Sequence, residues 1–243
     1  MITINFKHIP ISLGMKVLDI GCGSGRHTAA AYGLPGALAV GIDTNPGDIA
    51  EAGNRLMIHE RLGEHGGGRW GFAGADAAHL PFRRHAFDLV LLSEVLEHIP
   101  DISAVVRESL RVLKPGNFLA VSVPRYLPEK ICWSISRQYS RQSGGHVRIF
   151  RKRQVVALFR SKGLQLQKIH YTHSLHTPYW WLKCIVGLDR ERFPVVDLYH
   201  RFLVWDIMKA PLITRFISRL IDPLLGKSMV FYFKKPILPE PMA

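Results

Sequence analysis

Val17-Leu18-Asp19-Ile20-Gly21-Cys22-Gly23-Ser24-Gly25-Arg26 is the stretch whose reading decides the fold. The short run from Lys16 to Ile20 reads as a buried strand, stopped at Gly21. Gly21 to Gly25 reads as a tight turn, and a helix is expected to start near Arg26 and His27. Glycine suits this turn for two reasons: the reversal needs positive φ, and a ligand approaching the backbone would collide with a Cβ. The helix start that follows offers unpaired N–H groups. The spacing is G-x-G-x-G with Arg at position 26, whereas a dinucleotide-binding turn has G-x-G-x-x-G. A P-loop needs Gly-Lys-Ser/Thr after a longer gap, and none is present.

Working outward, Ala37 to Ile42 reads as a second strand with Asp43 at its tip, 18 residues after Gly25. An acid placed there can accept hydrogen bonds from both hydroxyls of a ribose. Thr44, Asn45 and Pro46 supply the start of a helix running to about Leu62. Trp70 to Ala75 is a third strand, ending at Asp76, and Phe87 to Leu92 is a nearly continuous apolar run of the kind buried on both faces. Asp101 to Leu113 is a helix, stopped by Lys114-Pro115-Gly116, and Asn117 to Val123 is a fifth strand. With one short helix allowed after Asp76, strands and helices alternate throughout. This pattern predicts an α/β doubly wound parallel sheet with its ligand at the carboxyl ends of the strands. Gly21–Gly25, Asp43, Asp76 and Ser93 converge there.

The 243 residues suit one domain with an elaboration, and 47% hydrophobic content suffices for a sizeable core. Cys22, Cys132 and Cys184 are too few and too scattered for a disulfide framework or a zinc site, which suits a reducing compartment. No signal peptide opens the chain, and charge interrupts every apolar run before the ~20 residues of a membrane span. The net charge of +13 is uneven. Residues 1–124 hold 11 Lys/Arg and 12 Asp/Glu, whereas 125–243 hold 21 and 7. A basic second half points to an anionic partner: a membrane surface, a phosphorylated substrate or nucleic acid.

Residues 1–15 leave almost no room for a covering helix, so substrate coverage is expected from elsewhere. The segment 125–145, with Arg125, Tyr126, Trp133 and Tyr139, leaves the tip of strand five and is expected to border the substrate pocket. A helix follows at about Lys152 to Ser161, then a strand at Leu164 to Thr172, and a last strand at Met229 to Phe233. Between those strands lies an insertion. Tyr179-Trp180-Trp181-Leu182 opens it, and a helical stretch follows from Val195 to about Leu220, split by Pro211. Val195, Leu198, Tyr199, Phe202 and Trp205 share one side of that stretch. The insertion reads either as a cap packed on the sheet or as an amphipathic surface resting on anionic lipid, and the two are compatible. The expected organisation is a core over 1–173 with its cap segment 125–145, a basic and aromatic insertion over 174–228, and a final strand and tail over 229–243.

Val17 to Gly25 resembles motif I of the class I methyltransferases that use S-adenosylmethionine, and Ser93-Glu94-Val95-Leu96-Glu97-His98-Ile99-Pro100 resembles the segment after strand four in the type 11, quinone-biosynthesis-like family. The resemblance implies a Rossmann-like seven-stranded sheet with the last strand antiparallel. It implies S-adenosylmethionine as cofactor, with no metal, held by Asp19, Gly21, Cys22, Gly23, Gly25, Asp43, Thr44, Asp76, Ala77 and Ser93. Asp43 would take the ribose, Asp76 the adenine amine, the Ala77 N–H a ring nitrogen, and Ser93 the methionine end.

Methyl transfer from a sulfonium is an in-line displacement that needs orientation and exclusion of water rather than a protein nucleophile. An oxygen acceptor calls for a general base, for which His98 and then His146 are the leading candidates. Glu94, Arg125, Tyr126, His173, His176, Tyr179 and Trp180 are the candidate substrate contacts. The expected acceptor is a hydroxyl of a lipid-linked, quinone-like or glycosyl small molecule, amphiphilic or anionic in character. Alternatives are an RNA or protein methyltransferase using the basic half, or a cofactor-binding protein without turnover. Nucleic acid is the less favoured partner, because Ser93-Glu94-Val95-Leu96 stands where base N-methyltransferases carry Asn/Asp-Pro-Pro-aromatic. The expected location is the cytoplasm, with peripheral contact to the inner face of the membrane.

Overall fold

The computed structural model describes residues 1–141, 145–188 and 193–237. Parts of the cap segment (142–144), the insertion (189–192) and the tail (238–243) lie outside the described residues. The first half alternates except between its third and fourth strands: β1 (Lys16–Ile20), α1 (Arg26–Tyr32), β2 (Leu38–Asp43), α2 (Pro46–Arg61), β3 (Arg69–Gly74), β4 (Phe87–Ser93), α3 (Ile102–Val112) and β5 (Leu113–Pro124). The second half holds α4 (Tyr126–Ile135), α5 (Arg137–Arg141), α6 (Lys152–Arg160), β6 (Gln165–Thr172), α7 (His176–Val186), α8 (Pro194–Lys209), α9 (Leu212–Leu225) and β7 (Ser228–Lys234).

All seven strands join one sheet in the order β3-β2-β1-β4-β5-β7-β6. The first five are parallel, and β7 runs antiparallel between β5 and β6. Alternation along each strand feeds two apolar layers. Leu18, Ile20, Val90, Leu92, Met229, Phe231 and Phe233 enter one, and Val17, Leu89, Leu91, Val230 and Tyr232 enter the other. Both faces are therefore covered, as a mostly parallel sheet requires.

Two expectations need correction. Residues 75–86 hold turns rather than a short helix, so β3 passes to β4 through a loop. That loop packs on the core through Leu80 and through Phe82, which meets Phe87 edge-on at 5.0 Å. Lys114-Pro115-Gly116 does not separate α3 from the fifth strand. Leu113 already pairs with Phe87, and the register then shifts before Leu89 meets Phe118, so the proline falls in an irregularity of the strand.

Polar contacts close the insertion between β6 and β7 on itself and tie it to α4. Ser174 N–H donates to Asp222 Oδ1 at 2.9 Å, Thr177 Oγ1 to the Leu225 carbonyl at 2.6 Å, and Trp181 Nε1 to the Pro128 carbonyl at 3.1 Å. Helices α8 and α9 part at Ala210, which adopts φ +44° ahead of Pro211. The side of α8 that packs inward is not the expected one. Val196 and Leu203 are buried, whereas Val195, Leu198 and Trp205 are exposed.

Phe231 lies in the middle of β7, fully buried and parallel to Phe233 with ring centroids 6.0 Å apart. Replacing it with alanine (Phe231→Ala) is expected to cost about 3–5 kcal/mol of unfolding free energy, measured by urea denaturation.

Candidate active site

The turn after β1 is built as the glycine spacing requires. Gly21, Gly23 and Gly25 take φ of +67°, +49° and +75°. A Cβ on Gly25 would stand 2.8 Å from the Ala52 Cβ, and one on Gly21 would stand 2.7 Å from a Val95 methyl carbon. Gly23 differs, because a Cβ there would meet nothing within 4 Å. Gly23 is bare backbone lining a cavity of about 310 Å³.

Asp43 reaches back from the tip of β2. Its Oδ2 accepts from the Gly23 N–H at 2.9 Å and its Oδ1 from the Asn45 N–H at 3.0 Å. Each oxygen keeps capacity for a further donor. Asp19 is buried beneath the turn, where its Oδ2 accepts from Thr28 Oγ1 at 2.7 Å and ties α1 to β1. Burial pushes its carboxyl up to about 7.

Cys22, Gly23, Ser93, Glu94, His173 and Trp180 line the cavity together with Gly21, Ser24 and Ser228. Residues absent from the sequence-based list join them: Met1, Thr3, Arg26, His27 and Lys227. The N-terminal residues therefore contribute cover that the length of 1–15 did not promise. Thr3 and Ile4 donate their N–H groups to His27 Nε2 at 3.0 and 3.3 Å. Lys227 sits 4.9 Å from the Trp180 ring centroid, a cation–π contact.

Two lining residues are strained, His173 at φ +67° and Glu94 at φ +55°. Glu94 is held there by its own N–H donating to the Ser122 carbonyl at 3.0 Å. Ser122 Oγ–H donates to Glu94 Oε1 at 2.8 Å, which leaves that hydroxyl to accept from Ser93 Oγ at 3.0 Å. Burial raises the Glu94 carboxyl above its ordinary value, opposed by Ser122 and Lys227. Glu97 is fully buried, and burial followed by the Glu94 charge pushes it higher still.

The remaining sequence candidates lie elsewhere. Asp76 is exposed at the tip of β3, bonded to the Ala78 N–H at 2.9 Å and to His79 Nδ1 at 3.1 Å, with Ala77 packed against the core. Thr44 is exposed. His98 and His146 do not line the cavity; their rings meet edge-on at 5.0 Å beside it in sequence, beyond Glu97. Arg125 stacks over Tyr171 at 4.5 Å, and Tyr126 packs under Arg151 at 4.4 Å, so neither borders the cavity. The cause is α4, which begins immediately after β5 and carries both residues away from the strand tip. His176 lines a different cavity with Asp206 and Arg215. Tyr179 is taken up by Tyr199 and His200 within the insertion.

Comparison with known proteins gives a consistent result. A family model described as a methyltransferase domain matches residues 18–121. The ubiquinone biosynthesis O-methyltransferase of Pseudomonas putida is 32% identical over 163 residues, covering 64% of this chain and 67% of that one. The 27-O-demethylrifamycin SV methyltransferase of Amycolatopsis mediterranei is 28% identical over 71% of this chain and 62% of its own. The methyltransferase GfsG of Streptomyces halstedii is 36% identical, but the chain spans only 40% of its length. The solved structure of a methyltransferase-like protein from Bacillus halodurans superposes with a TM-score of 0.64 at 17% identity, covering 96% of this chain and 97% of that one.

Two half-buried imidazoles give the site a pH signature. Burial, followed by the neighbouring His176, pulls His173 down to about 3; burial, followed by Arg26, pulls His27 down to about 4. The unfolded chain protonates such rings near pH 6.5 and the folded protein only far lower, so their stabilisation is lost as pH falls below about 6.5. Asp19 works in the opposite sense: its folded carboxyl holds a proton up to about 7, so its contribution is lost as pH rises from about 4. Comparison with His173→Asn isolates the imidazole. The stability advantage of the native sequence over that variant is expected to shrink by about 2 kcal/mol between pH 7.5 and pH 5 in urea melts.

Proposed function

Since this chain belongs to the class I S-adenosylmethionine-dependent methyltransferases, within the type 11 family, we propose that it transfers a methyl group from S-adenosylmethionine to a hydroxyl of an amphiphilic small molecule. One observation carries this reading: the bare Gly23 backbone, the Ser93–Ser122–Glu94 network and the Trp180 ring face a single cavity at the strand tips. The sheet order supports an extended cofactor. Running β4, β1, β2, β3, the tips present Ser93, the glycine turn, Asp43 and Asp76 in succession. Ser93 would take the methionine end, Asp43 the ribose and Asp76 with Ala77 the adenine. Placing a Cβ on Gly23 would fill the cradle.

When bound, the cofactor supplies an electrophilic methyl on a sulfonium, and the chain supplies orientation, dryness and a place for the proton. Glu94 suits the last role. It lines the cavity, Ser122 fixes its carboxylate, and burial raises its affinity for protons towards the working range of a general base. The acceptor hydroxyl would pass its proton to Glu94 as its oxygen takes the methyl, and the proton then leaves to water. His173 and Trp180 would border the acceptor. His98 and His146 stand outside the cavity lining, which favours Glu94 over them.

The insertion supports an acceptor carried by a membrane. Leu212 (83% exposed), Phe216 (62%), Leu220 (61%) and Leu224 (71%) leave α9 with a bare apolar face, interleaved with exposed Arg215 and Arg219. Trp205 and Met208 on α8 are exposed as well. Apolar side chains flanked by arginines match the boundary of an anionic bilayer. Among the described residues no helix is long and apolar enough to cross a membrane.

Three measurements test the reading. Calorimetry is expected to show saturable binding of S-adenosylmethionine, weakened at least about 10-fold in Asp43→Ala, a loss of ~1.4 kcal/mol or more; absence of binding by folded protein would overturn it. Glu94→Gln is expected to lower turnover about 10²–10⁴-fold while leaving cofactor affinity within a few-fold. Flotation with anionic vesicles is expected to carry the protein, and Phe216→Glu with Leu220→Glu to abolish flotation; equal recovery on neutral vesicles would remove the membrane surface.

A further inference from the structure

Behind the cavity lies a cluster that methyl transfer leaves unused. Glu97 follows β4, its side chain is fully buried, and neither carboxylate oxygen has a hydrogen-bond partner among the described residues. A carboxylate stripped of water with nothing to bond is costly, and such groups are expected to be paired or to hold a metal. One donor atom from each of Glu97, His98 and His146 comes within 4.8 Å of the others, the one such grouping among the described residues. The Val147 N–H donates to the Glu97 carbonyl at 2.8 Å, which pins the segment carrying His146 against the segment carrying Glu97.

The histidines are oriented as metal-binding histidines are. His146 Nδ1 lies 2.5 Å from Glu129 Oε1, and Glu129 is itself buried on α4 and bonded by Tyr139 Oη at 3.3 Å. His98 Nδ1 meets the Gly145 carbonyl at 3.2 Å. The carboxylate on Nδ1 of His146 sets its Nε2 as the nitrogen offered to an ion. The surrounding charge also favours a cation, because the Glu94 and Glu129 carboxyls both act on Glu97, with Lys227 as the opposing charge. His98 is exposed and gives an ion a way in.

We propose that Glu97, His98 and His146 form a binding site for one first-row divalent transition-metal cation, with Glu129 as the positioning residue for His146. Two imidazoles and one carboxylate suit Zn²⁺, Co²⁺ or Fe²⁺ better than the all-oxygen preference of Mg²⁺ or Ca²⁺. Donors about 2.1 Å from an ion stand roughly 3–4 Å apart, so a small closure of the present arrangement completes the site. Three protein ligands leave at least one position open. Its use for an acceptor oxygen rests on the proposed methyl transfer, whereas the binding of the ion does not.

The test uses the full chain after dialysis against a chelator, titrated with Co²⁺ and followed by visible absorption. One Co²⁺ per chain with a ligand-field band, displaced by Zn²⁺, is the expected result. Glu97→Gln and His146→Ala are expected to abolish the band, and Glu129→Gln to weaken binding about 10–100-fold. His98→Ala alters an exposed side chain, so it keeps the test valid if a buried variant fails to fold. His79→Ala, at the distant Asp76, is expected to change nothing. Overturning outcomes are no band at millimolar Co²⁺, a band indifferent to these substitutions, or a Glu97→Gln protein that is more stable while the native chain binds no ion. Because the band is read without turnover, a failed methyl-transfer assay leaves it standing, and a missing band leaves cofactor calorimetry standing.

Discussion

The Asp43 carboxylate joins the two turns on which the rest of the site depends. One oxygen takes the N–H of Gly23 and the other that of Asn45, so the glycine turn after β1 and the cap of α2 are held by a single side chain. Both turns are short and expose backbone donors at strand tips, where an unpaired N–H is costly. A carboxylate with two acceptor oxygens satisfies them and retains lone pairs on its outer side. Position and chemistry are thereby coupled: the residue that rigidifies the turn also keeps acceptor capacity for a further donor.

Burial of charge governs the other side of the site. Glu94, Glu97 and Glu129 come from two segments, the turn after β4 and helix α4, and all three carboxyls are withdrawn from water. Their solutions differ. Glu94 is bonded by Ser122 at the cavity wall, Glu129 is paired with His146, and Glu97 has no partner among the described residues. The strained backbone at Glu94 belongs to the same arrangement, since φ +55° turns its side chain back onto Ser122 of the neighbouring strand. Strain of this kind persists where the surroundings over-determine it.

The insertion completes the cavity with one ring, Trp180, and turns much of its apolar surface outward. Its polar bonds, Ser174 to Asp222 and Thr177 to the Leu225 carbonyl, hold the start of α7 against the end of α9. The middle of α9 faces solvent with its leucines and Phe216. Packing against the core does not account for that face, which carries exposed Arg215 and Arg219 beside its apolar side chains.

The sequence by itself determined the parallel half of the fold. Local period and punctuation are enough there: β1 and α1 begin and end where the apolar run and the glycines place them, and Asp43 falls at the tip of β2. The cofactor family was legible through the resemblance of Val17 to Gly25 to the methyltransferase motif, which lies within one strand and turn. Tertiary structure alone decided what meets across the sheet. Lys227 lies 204 residues after Gly23, and His27 looks like an ordinary first-turn residue, yet both line the cavity because β7 inserts beside β5 and the N-terminal segment folds over α1. Arg125 and Tyr126 left the pocket because α4 starts at once after β5, and Glu97, His98 and His146 came together because residue 147 bonds back to the Glu97 carbonyl. Spacing along the chain reports on neighbours within one element. Contacts between elements are set by sheet order and burial, which no local pattern encodes.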